Sequence, residues 1–225
     1  MTRRTAQPTP GAAPERPTRL ALSRDHVLRT ALALIDAEGV PRLSMRRLGA
    51  ALGVDPMAVY HWVPNKGALL DGVTELIWRD MGLGTADPQD DWRAVAADVA
   101  RGLRTTLRKH PNAVVVVGTH PISGPTMLAI FDAALGVLAA AGLPPASAID
   151  LLYCLTTFTV GHVLAEAVDP VGGADEPAAP VDLAALVDAY PHLGEAISHG
   201  WEFDAEAQWE TGLTALLAGW PTTPR

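Results

Sequence analysis

The sequence has few of the features that mark secreted, disulfide-bonded or membrane proteins. Its one cysteine, Cys154, excludes an internal disulfide and is typical of a protein in the reducing cytoplasm. The first twenty residues lack the apolar run of a secretory signal. The best candidate for a membrane span, residues 127–143, is short and is interrupted by Asp132. We therefore expect a soluble cytoplasmic protein with no membrane partner.

Sequence patterns of catalysis and metal binding are also missing. The chain has no glycine-rich phosphate loop, nucleophile elbow or paired-carboxylate arrangement. His120 and His162 invite a metal or catalytic interpretation, but they lie far apart in the sequence. Such histidines are more often packed in the core or at a helix cap. We expect no metal, no cofactor and no enzymatic activity.

Positive charge is scarce overall but is concentrated at one end of the chain. The formal net charge is -8, which alone argues against a partner of nucleic acid. Residues 1–66, however, carry ten Lys/Arg and five Asp/Glu, a net charge of +5, whereas residues 67–225 carry seven and twenty, a net charge of -13. This asymmetry indicates an N-terminal part that can approach a polyanion.

The N-terminal third predicts a helix-turn-helix. Residues 1–22, rich in Pro, Thr, Ala and Arg, are predicted to form a disordered basic arm. Four helices follow, the fourth over 66–81, with N-terminal caps at Ser23, Ser44, Asp55 and Asn65, and helix stops at Gly39 and Gly53. Two short helices joined by a glycine-containing turn, behind a supporting helix, form such a motif. Many small helical domains contain the same corner without binding nucleic acid.

The rest of the chain is also predicted to be helical, and the fold class is therefore all-α. The four consecutive valines within residues 113–119 favour a strand on propensity alone. Because no partner strand is evident elsewhere, we predict a short buried helix or turn there. Residues 169–180 have the composition of a mobile loop. The predicted helices are 92–110, 125–141, 146–168, 182–190 and 204–220, with a break around Pro191 and Gly200 between the last two.

Several stretches resemble the tetracycline-repressor (TetR) family of transcriptional regulators. The N-terminal ones are Ala-Glu-Gly at 37–39, LSMRRLGAALGV at 43–54 and AVYHWVPNKGALL at 58–70; the C-terminal ones include His110-Pro111, Gly118-Thr119 and Phe158-Thr-Val-Gly161. The resemblance covers nearly the whole chain. It implies a three-helix DNA-binding domain over 23–66 and a helical effector-binding and dimerisation domain over 67–225, connected by the helix of 66–81.

The resemblance also implies how the first domain would bind double-stranded operator DNA. The second helix of the motif enters the major groove by its N-terminal end, which makes Met57 and Ala58 candidates for contacts with base edges. Arg46 matches the position whose arginine reaches a guanine, and Ser44 can present its helix end to a phosphate. The residues expected to contact phosphate from an exposed rim are Tyr60, His61, Trp62 and Lys66.

The second domain is expected to hold a mostly apolar effector site between the helices of residues 91–110, 125–141 and 146–168. Its candidate lining residues are Val116, His120, Met127, Phe131, Thr157, Phe158, Gly161 and His162. The tetracycline repressors bind the magnesium–drug complex through a histidine and a glutamate, and Val116 and Ala165 stand at the matching positions here. We therefore expect a small hydrophobic effector other than magnesium-tetracycline.

A homodimer is implied as well, because a palindromic operator requires two recognition helices roughly 34–36 Å apart. Residues 146–166 and 204–217 would form a four-helix bundle with their symmetry mates. The sequence thus predicts a ligand-responsive transcriptional regulator, expected to be a repressor. The alternatives are a helical small-molecule-binding protein that never meets DNA, and an enzyme that uses the C-terminal cavity.

Overall fold

The structure, a computed structural model, describes residues 22–82, 91–120, 124–167 and 190–221, and within these ranges the fold is all-α. The predicted arm (except Leu22), the predicted loop of 169–180 and the predicted helix of 182–190 (except Tyr190) lie outside the described residues. The helices are α1 (Arg24–Glu38), α2 (Met45–Leu52), α3 (Pro56–Tyr60), α4 (Lys66–Met81), α5 (Trp92–Lys109), α6 (Val114–Thr119), α7 (Pro125–Ala140), α8 (Pro145–Ala167), α9 (Pro191–Ser198) and α10 (Ala205–Ala218), with short 3-10 turns at Val40–Arg42 and Pro111–Ala113.

The predicted N-terminal caps are confirmed. The side chain of Ser23 accepts a hydrogen bond from the His26 amide at 3.2 Å, and that of Asn65 accepts from the Ala68 amide at 2.9 Å. Each cap satisfies an amide that has no partner within its own helix. The starts of these helices are therefore fixed by local chemistry.

The valine-rich segment forms the short buried helix that was predicted. Val114, Val116 and Val117 of α6 are buried in the core, and Val115 is exposed. Tertiary burial of one helical face outweighs the strand propensity of these residues. Helix α9, in contrast, was not predicted, because Pro191 was interpreted as a break when it occupies the first turn of a helix.

Two clusters of buried side chains hold the helices together. The first joins α1–α4 to α6 and to parts of α5, α7 and α8, so the core is continuous across the predicted domain boundary at 66/67. The second lies among α5, α7, α8 and α10 and includes the buried Trp209. The N-terminal helices therefore rest on the elements that carry the C-terminal half.

Helix α8 is more apolar than the sequence analysis recognised. Residues Pro145–Glu166 are long and apolar enough to cross a membrane by length and composition, with a mean hydropathy of 1.5, which corrects the choice of 127–143 as the best candidate. Here α8 packs on α5, α6, α7 and α10 as a central helix of the fold. This packing explains the apolar residues on the core side of α8. On its other side, the apolar side chains of Ile149, Tyr153 and Leu164 are exposed.

Candidate DNA-binding surface and ligand cavity

Helices α2 and α3 form a tight corner that depends on two glycines. Gly53 ends α2 with φ 67° and ψ 31°, in the left-handed region that favours glycine. A Cβ at Gly49 would lie 3.0 Å from the Cα of Pro56, so the absent side chain lets the two helices approach closely. Val59 is fully buried and Val63 nearly so, which anchors α3 to the core.

The N-terminal end of α3 projects into solvent. Asp55 accepts a hydrogen bond from the Met57 amide at 2.8 Å, and Pro56 occupies the first helical position. The Met57 side chain is 72% exposed although it is apolar, while Ala58 is half-buried and Tyr60 is 41% exposed. An exposed methionine at this point is available for contact with another molecule.

Three of the predicted rim residues, Tyr60, His61 and Trp62, do not form one exposed row. Helix α3 ends at Tyr60, and the following turn places His61 in solvent but leaves Trp62 half-buried against the N-terminal core. The two rings lie edge to face with centroids 5.4 Å apart. The expectation of an exposed Trp62 is therefore wrong, because Val59 and Val63 pull the turn onto the core.

The cations near the corner differ in their partners. Arg46 is exposed and pairs with no acidic residue in the described part of the chain, whereas Arg47 forms an ion pair with Glu38. Ser44 caps α2 by accepting from the Arg47 amide at 3.3 Å. The Lys66 ammonium donates to the carbonyl oxygens of Leu43 at 2.8 Å and Val40 at 3.3 Å. Lys66 thus holds the loop before α2 in place, a role that the sequence did not reveal.

Helix α4 is fastened to α1 by ion pairs. Arg24 donates two hydrogen bonds to the Glu75 carboxylate, at 2.9 and 3.1 Å. Hydrogen bonds from Arg29 and Arg79 lower the pKa of Asp25. The Arg24–Glu75 and Arg79–Asp25 pairs each join α1 directly to α4, whereas the Arg29–Asp25 pair lies within α1.

The first turn of the chain after α5 forms a second joint to α1. His110 Nδ1 lies 2.8 Å from a carboxylate oxygen of Asp36, and the Asn112 amide donates to the Asp36 carbonyl at 2.9 Å. This turn leads directly into α6. A displacement of α6 would therefore shift the C-terminal end of α1 through these hydrogen bonds.

A cavity of about 470 Å³ lies among α4, α6, α7 and α8. Trp78 of α4 and Phe131 of α7 meet there edge to face, with ring centroids 5.7 Å apart. The lining residues are Trp78, Val117, Gly118, Thr119, His120, Phe131, Tyr153, Thr156, Thr157, Val160 and Gly161. No residue of α5 lines this cavity, although α5 was expected to form one of its walls. Residues of α4 and α6 form that wall instead.

The structure brings four of the eight predicted pocket residues to this cavity: His120, Phe131, Thr157 and Gly161. Val116 and Met127 do not line it, because their helix faces turn into the first core cluster, where they are 1% and 3% exposed. On α8, Tyr153, Thr157 and Gly161 are four residues apart and line the same face of the helix. A residue one position away points about 100° from this face, so it does not reach the same part of the cavity wall.

Phe158 and His162 are corrected for the same reason. Phe158 stacks on Trp209 with centroids 6.2 Å apart and presses so closely on α10 that a Cβ at Gly212 would lie 2.6 Å from its ring. His162 Nδ1 lies 3.3 Å from Glu166. Phe158 thus faces α10, and His162 lies against Phe158 and Glu166 on α8; neither residue lines the cavity. Among the residues that the sequence prediction omits, Tyr153 follows from extending the four-residue spacing of Thr157 and Gly161, whereas Thr156 does not.

A buried ion network crosses this opposite side. Arg104 donates to the Glu166 carboxylate at 3.0 and 3.2 Å, pairs with Glu206 at 2.6 Å and lies over the ring of Trp209. Burial alone would raise the pKa of Glu166, but hydrogen bonds from Arg104 and His162 lower it. The network secures α8 against α5 and α10 and leaves Glu166 facing away from the cavity.

No group of three His, Cys, Asp or Glu side chains in the described ranges could hold a metal ion. The position that would need a histidine for magnesium-tetracycline, Val116, is buried in the core, and Ala165 is exposed on α8.

Comparisons with known proteins agree with this architecture. Residues 84–223 match the family model described as "Tetracyclin repressor-like, C-terminal domain". The HTH-type transcriptional repressor DrrR1 of Streptomyces coeruleorubidus is 33% identical over 152 residues, which span 67% of this chain and 56% of that protein. The tetracycline repressor protein class A from transposon 1721 of Escherichia coli is 33% identical over 200 residues, which span 88% of this chain and 90% of that protein.

Solved structures give the same result. The crystal structure of a possible TetR family transcriptional regulator from Streptomyces coelicolor A3(2) is 34% identical to this chain, with a TM-score of 0.68. The match covers 88% of this chain and 98% of that chain. The similarity therefore includes both the helix-turn-helix and the C-terminal helices.

Proposed function

Because the chain belongs to the tetracycline-repressor family of transcriptional regulators, we propose that it binds a palindromic operator as a dimer and releases it when a small, largely apolar effector occupies the cavity. The family consists of regulators rather than enzymes, and we propose no catalytic step. The protein acts in the cytoplasm as a soluble repressor. The single observation that carries the proposal is that one helix, α4, reaches both sites.

Helix α4 begins beside the helix-turn-helix and ends at the cavity. Lys66, its first residue, holds the loop before α2, and Trp78, three turns later, forms part of the cavity wall. A helix of this length spans about 24 Å. A ligand that contacts Trp78 can therefore favour one position of α4, and the ion pairs to α1 carry that position to the DNA-binding helices.

Release follows from a shift between two conformations of the dimer. An effector that binds better to the conformation with the wrong spacing of recognition helices lowers the population able to bind the operator. The joint of His110 and Asn112 to Asp36 offers a second connection, from α6 to α1. Both connections end on the same supporting helix of the motif.

The dimer is supported by the apolar side chains that a single chain leaves exposed. Ile149 and Tyr153 on α8 are 51% and 69% exposed, and Trp201 and Phe203 before α10 are 47% and 68% exposed. Exposed groups of this kind mark interaction surfaces. They lie on or beside the two helices expected to form the four-helix bundle.

A charge reversal at α3 tests the DNA-binding role. We expect Met57→Asp to abolish binding to duplex DNA, because the new carboxylate would enter the negatively charged major groove. The fold should be unaffected, since the side chain is exposed and an acidic residue suits a helix N-terminus. Thr126→Asp is the matched control: it adds the same charge at the second position of α7, also after a proline and also exposed.

Fluorescence anisotropy with labelled duplex DNA distinguishes the proposal from its alternative. Loss of binding in Met57→Asp with retention in Thr126→Asp supports the regulator. Absence of DNA binding by the wild-type protein would favour a helical ligand-binding protein that never meets DNA, and equal binding by all three proteins would place the DNA contact away from this corner.

A further inference from the structure

Three of the polar side chains that line the cavity, His120, Thr119 and Thr157, direct their protons at backbone carbonyl oxygens. His120 Nδ1 lies 3.1 Å from the carbonyl oxygen of Val116, which can only accept a hydrogen bond. In the neutral imidazole the proton is therefore on Nδ1, and Nε2 carries the free lone pair. The His120 side chain presents an acceptor to any ligand in the cavity.

The hydroxyl groups of Thr119 and Thr157 also donate their hydrogen bonds to backbone carbonyl oxygens. The Thr119 hydroxyl donates to the Val115 carbonyl, and the Thr157 hydroxyl donates to the Tyr153 carbonyl, each at 2.6 Å. Each hydroxyl has one proton and two lone pairs, so the oxygens keep acceptor capacity only. Three polar side chains of the cavity wall thus offer lone pairs rather than protons.

The cavity is also uncharged and lined by aromatic rings. None of its eleven lining residues is Asp, Glu, Lys or Arg, so a ligand carboxylate or phosphate would find no cation there. An ion moved into such surroundings loses its hydration without a compensating partner. Trp78, Phe131 and Tyr153 instead provide flat apolar surfaces suited to another ring.

We propose that the cavity selects an uncharged aromatic molecule that carries at least one hydroxyl donor, and that it does so without a metal ion. The ring packs among Trp78, Phe131 and Tyr153, and the hydroxyl donates to His120 Nε2. The inference depends on this cavity being the effector site. It narrows the ligand from any apolar molecule to one with a hydrogen-bond donor and no negative charge.

Three probes with a common ring separate the chemistry. 2-Naphthol carries a hydroxyl donor, 2-methoxynaphthalene carries the same oxygen without a proton, and 2-naphthoate carries a negative charge at neutral pH. Isothermal titration calorimetry on the full-length protein without DNA should give 2-naphthol about tenfold higher affinity than the ether, as one hydrogen bond implies. We expect no measurable binding of 2-naphthoate.

Two variants assign the preference to residues. His120→Leu should bring the affinity ratio of naphthol to ether towards one while ether binding persists, and Thr157→Val should lower the ratio less. Thr105→Val, which alters an exposed threonine of α5 outside the cavity, should keep the wild-type ratio. Because Thr157→Val is nearly isosteric, it decides the question if His120→Leu does not fold.

A fall in the ratio in either cavity variant supports the proposal. It is overturned if 2-naphthoate binds as tightly as 2-naphthol, if the ratio is unchanged in both cavity variants, or if no probe binds the folded wild-type protein. The calorimetry involves no DNA, so its failure is separate from failure of the DNA-binding test on Met57→Asp.

Discussion

Substitution of Gly161 separates ligand binding from folding and from DNA binding. Gly161 lines the cavity on α8, and a Cβ built there meets no atom within 4 Å. A leucine would therefore enter open space in the ligand-free protein. Replacing a glycine in a helix interior with a good helix former should stabilise the fold by roughly 0.5–1 kcal/mol.

The same Gly161→Leu substitution should weaken ligand binding, although it should stabilise the ligand-free fold. A ligand that fills the cavity must be displaced by the leucine side chain or tolerate overpacking, which costs about 1–3 kcal/mol. We expect binding weakened by about 5- to 150-fold, since each 1.4 kcal/mol is a factor of ten. Operator affinity should be unchanged, and the effector concentration needed for release should rise by the same factor.

Gly136→Leu is the matched control, because Gly136 lies within α7, is also free of neighbours at its Cβ position and does not line the cavity. Urea unfolding reports stability, calorimetry with 2-naphthol reports the cavity, and anisotropy reports operator binding. A Gly161→Leu protein that is stable and binds the probe as tightly as Gly136→Leu would place the ligand site elsewhere.

Three further predictions follow from the same geometry. Magnesium-tetracycline should neither bind nor release DNA, because Val116 and Ala165 supply no metal ligand, and a magnesium-dependent quench of drug fluorescence at micromolar concentration would contradict this. The pKa of Glu166 is lowered in the folded protein, so the stability that this carboxylate contributes is present above its unfolded pKa and is lost as pH falls through its folded pKa. Glu166→Gln should therefore show a flatter acid-unfolding curve by circular dichroism. An unchanged slope would argue against a role for Arg104 in holding this carboxylate. Lys66→Met should lower DNA affinity at every sequence and reduce the free energy of unfolding by roughly 1–2 kcal/mol, measured in urea, whereas an unaltered unfolding curve would contradict its contacts to the loop before α2.

Helix ends could be predicted from the sequence because their causes are local. Ser23 and Asn65 cap helices by bonding amides three residues away, and Gly53 turns the chain through its own φ angle. Pro191 was misinterpreted because the same residue can end one helix or begin the next. Position alone does not distinguish these outcomes.

The cavity was harder to predict because its walls come from four separate helices. Trp78 reaches it from α4, and no local pattern connects that residue to Gly161. Phe158 was assigned to the cavity although α10 covers it, since an adjacent residue on a helix points in a different direction. Lys66 was assigned to phosphate alone because its carbonyl partners lie more than twenty residues away.

The dimeric repressor is tested most directly by selecting sequences for the purified protein from a random pool of duplex DNA. The account predicts a recovered inverted repeat whose half-sites are centred about one helical turn apart, roughly 34–36 Å, with two protomers bound per duplex. Arg46→Ala should relax the selectivity at one base pair in each half-site. Recovery of no common sequence, or of one protomer on a site without two-fold symmetry, would contradict the account.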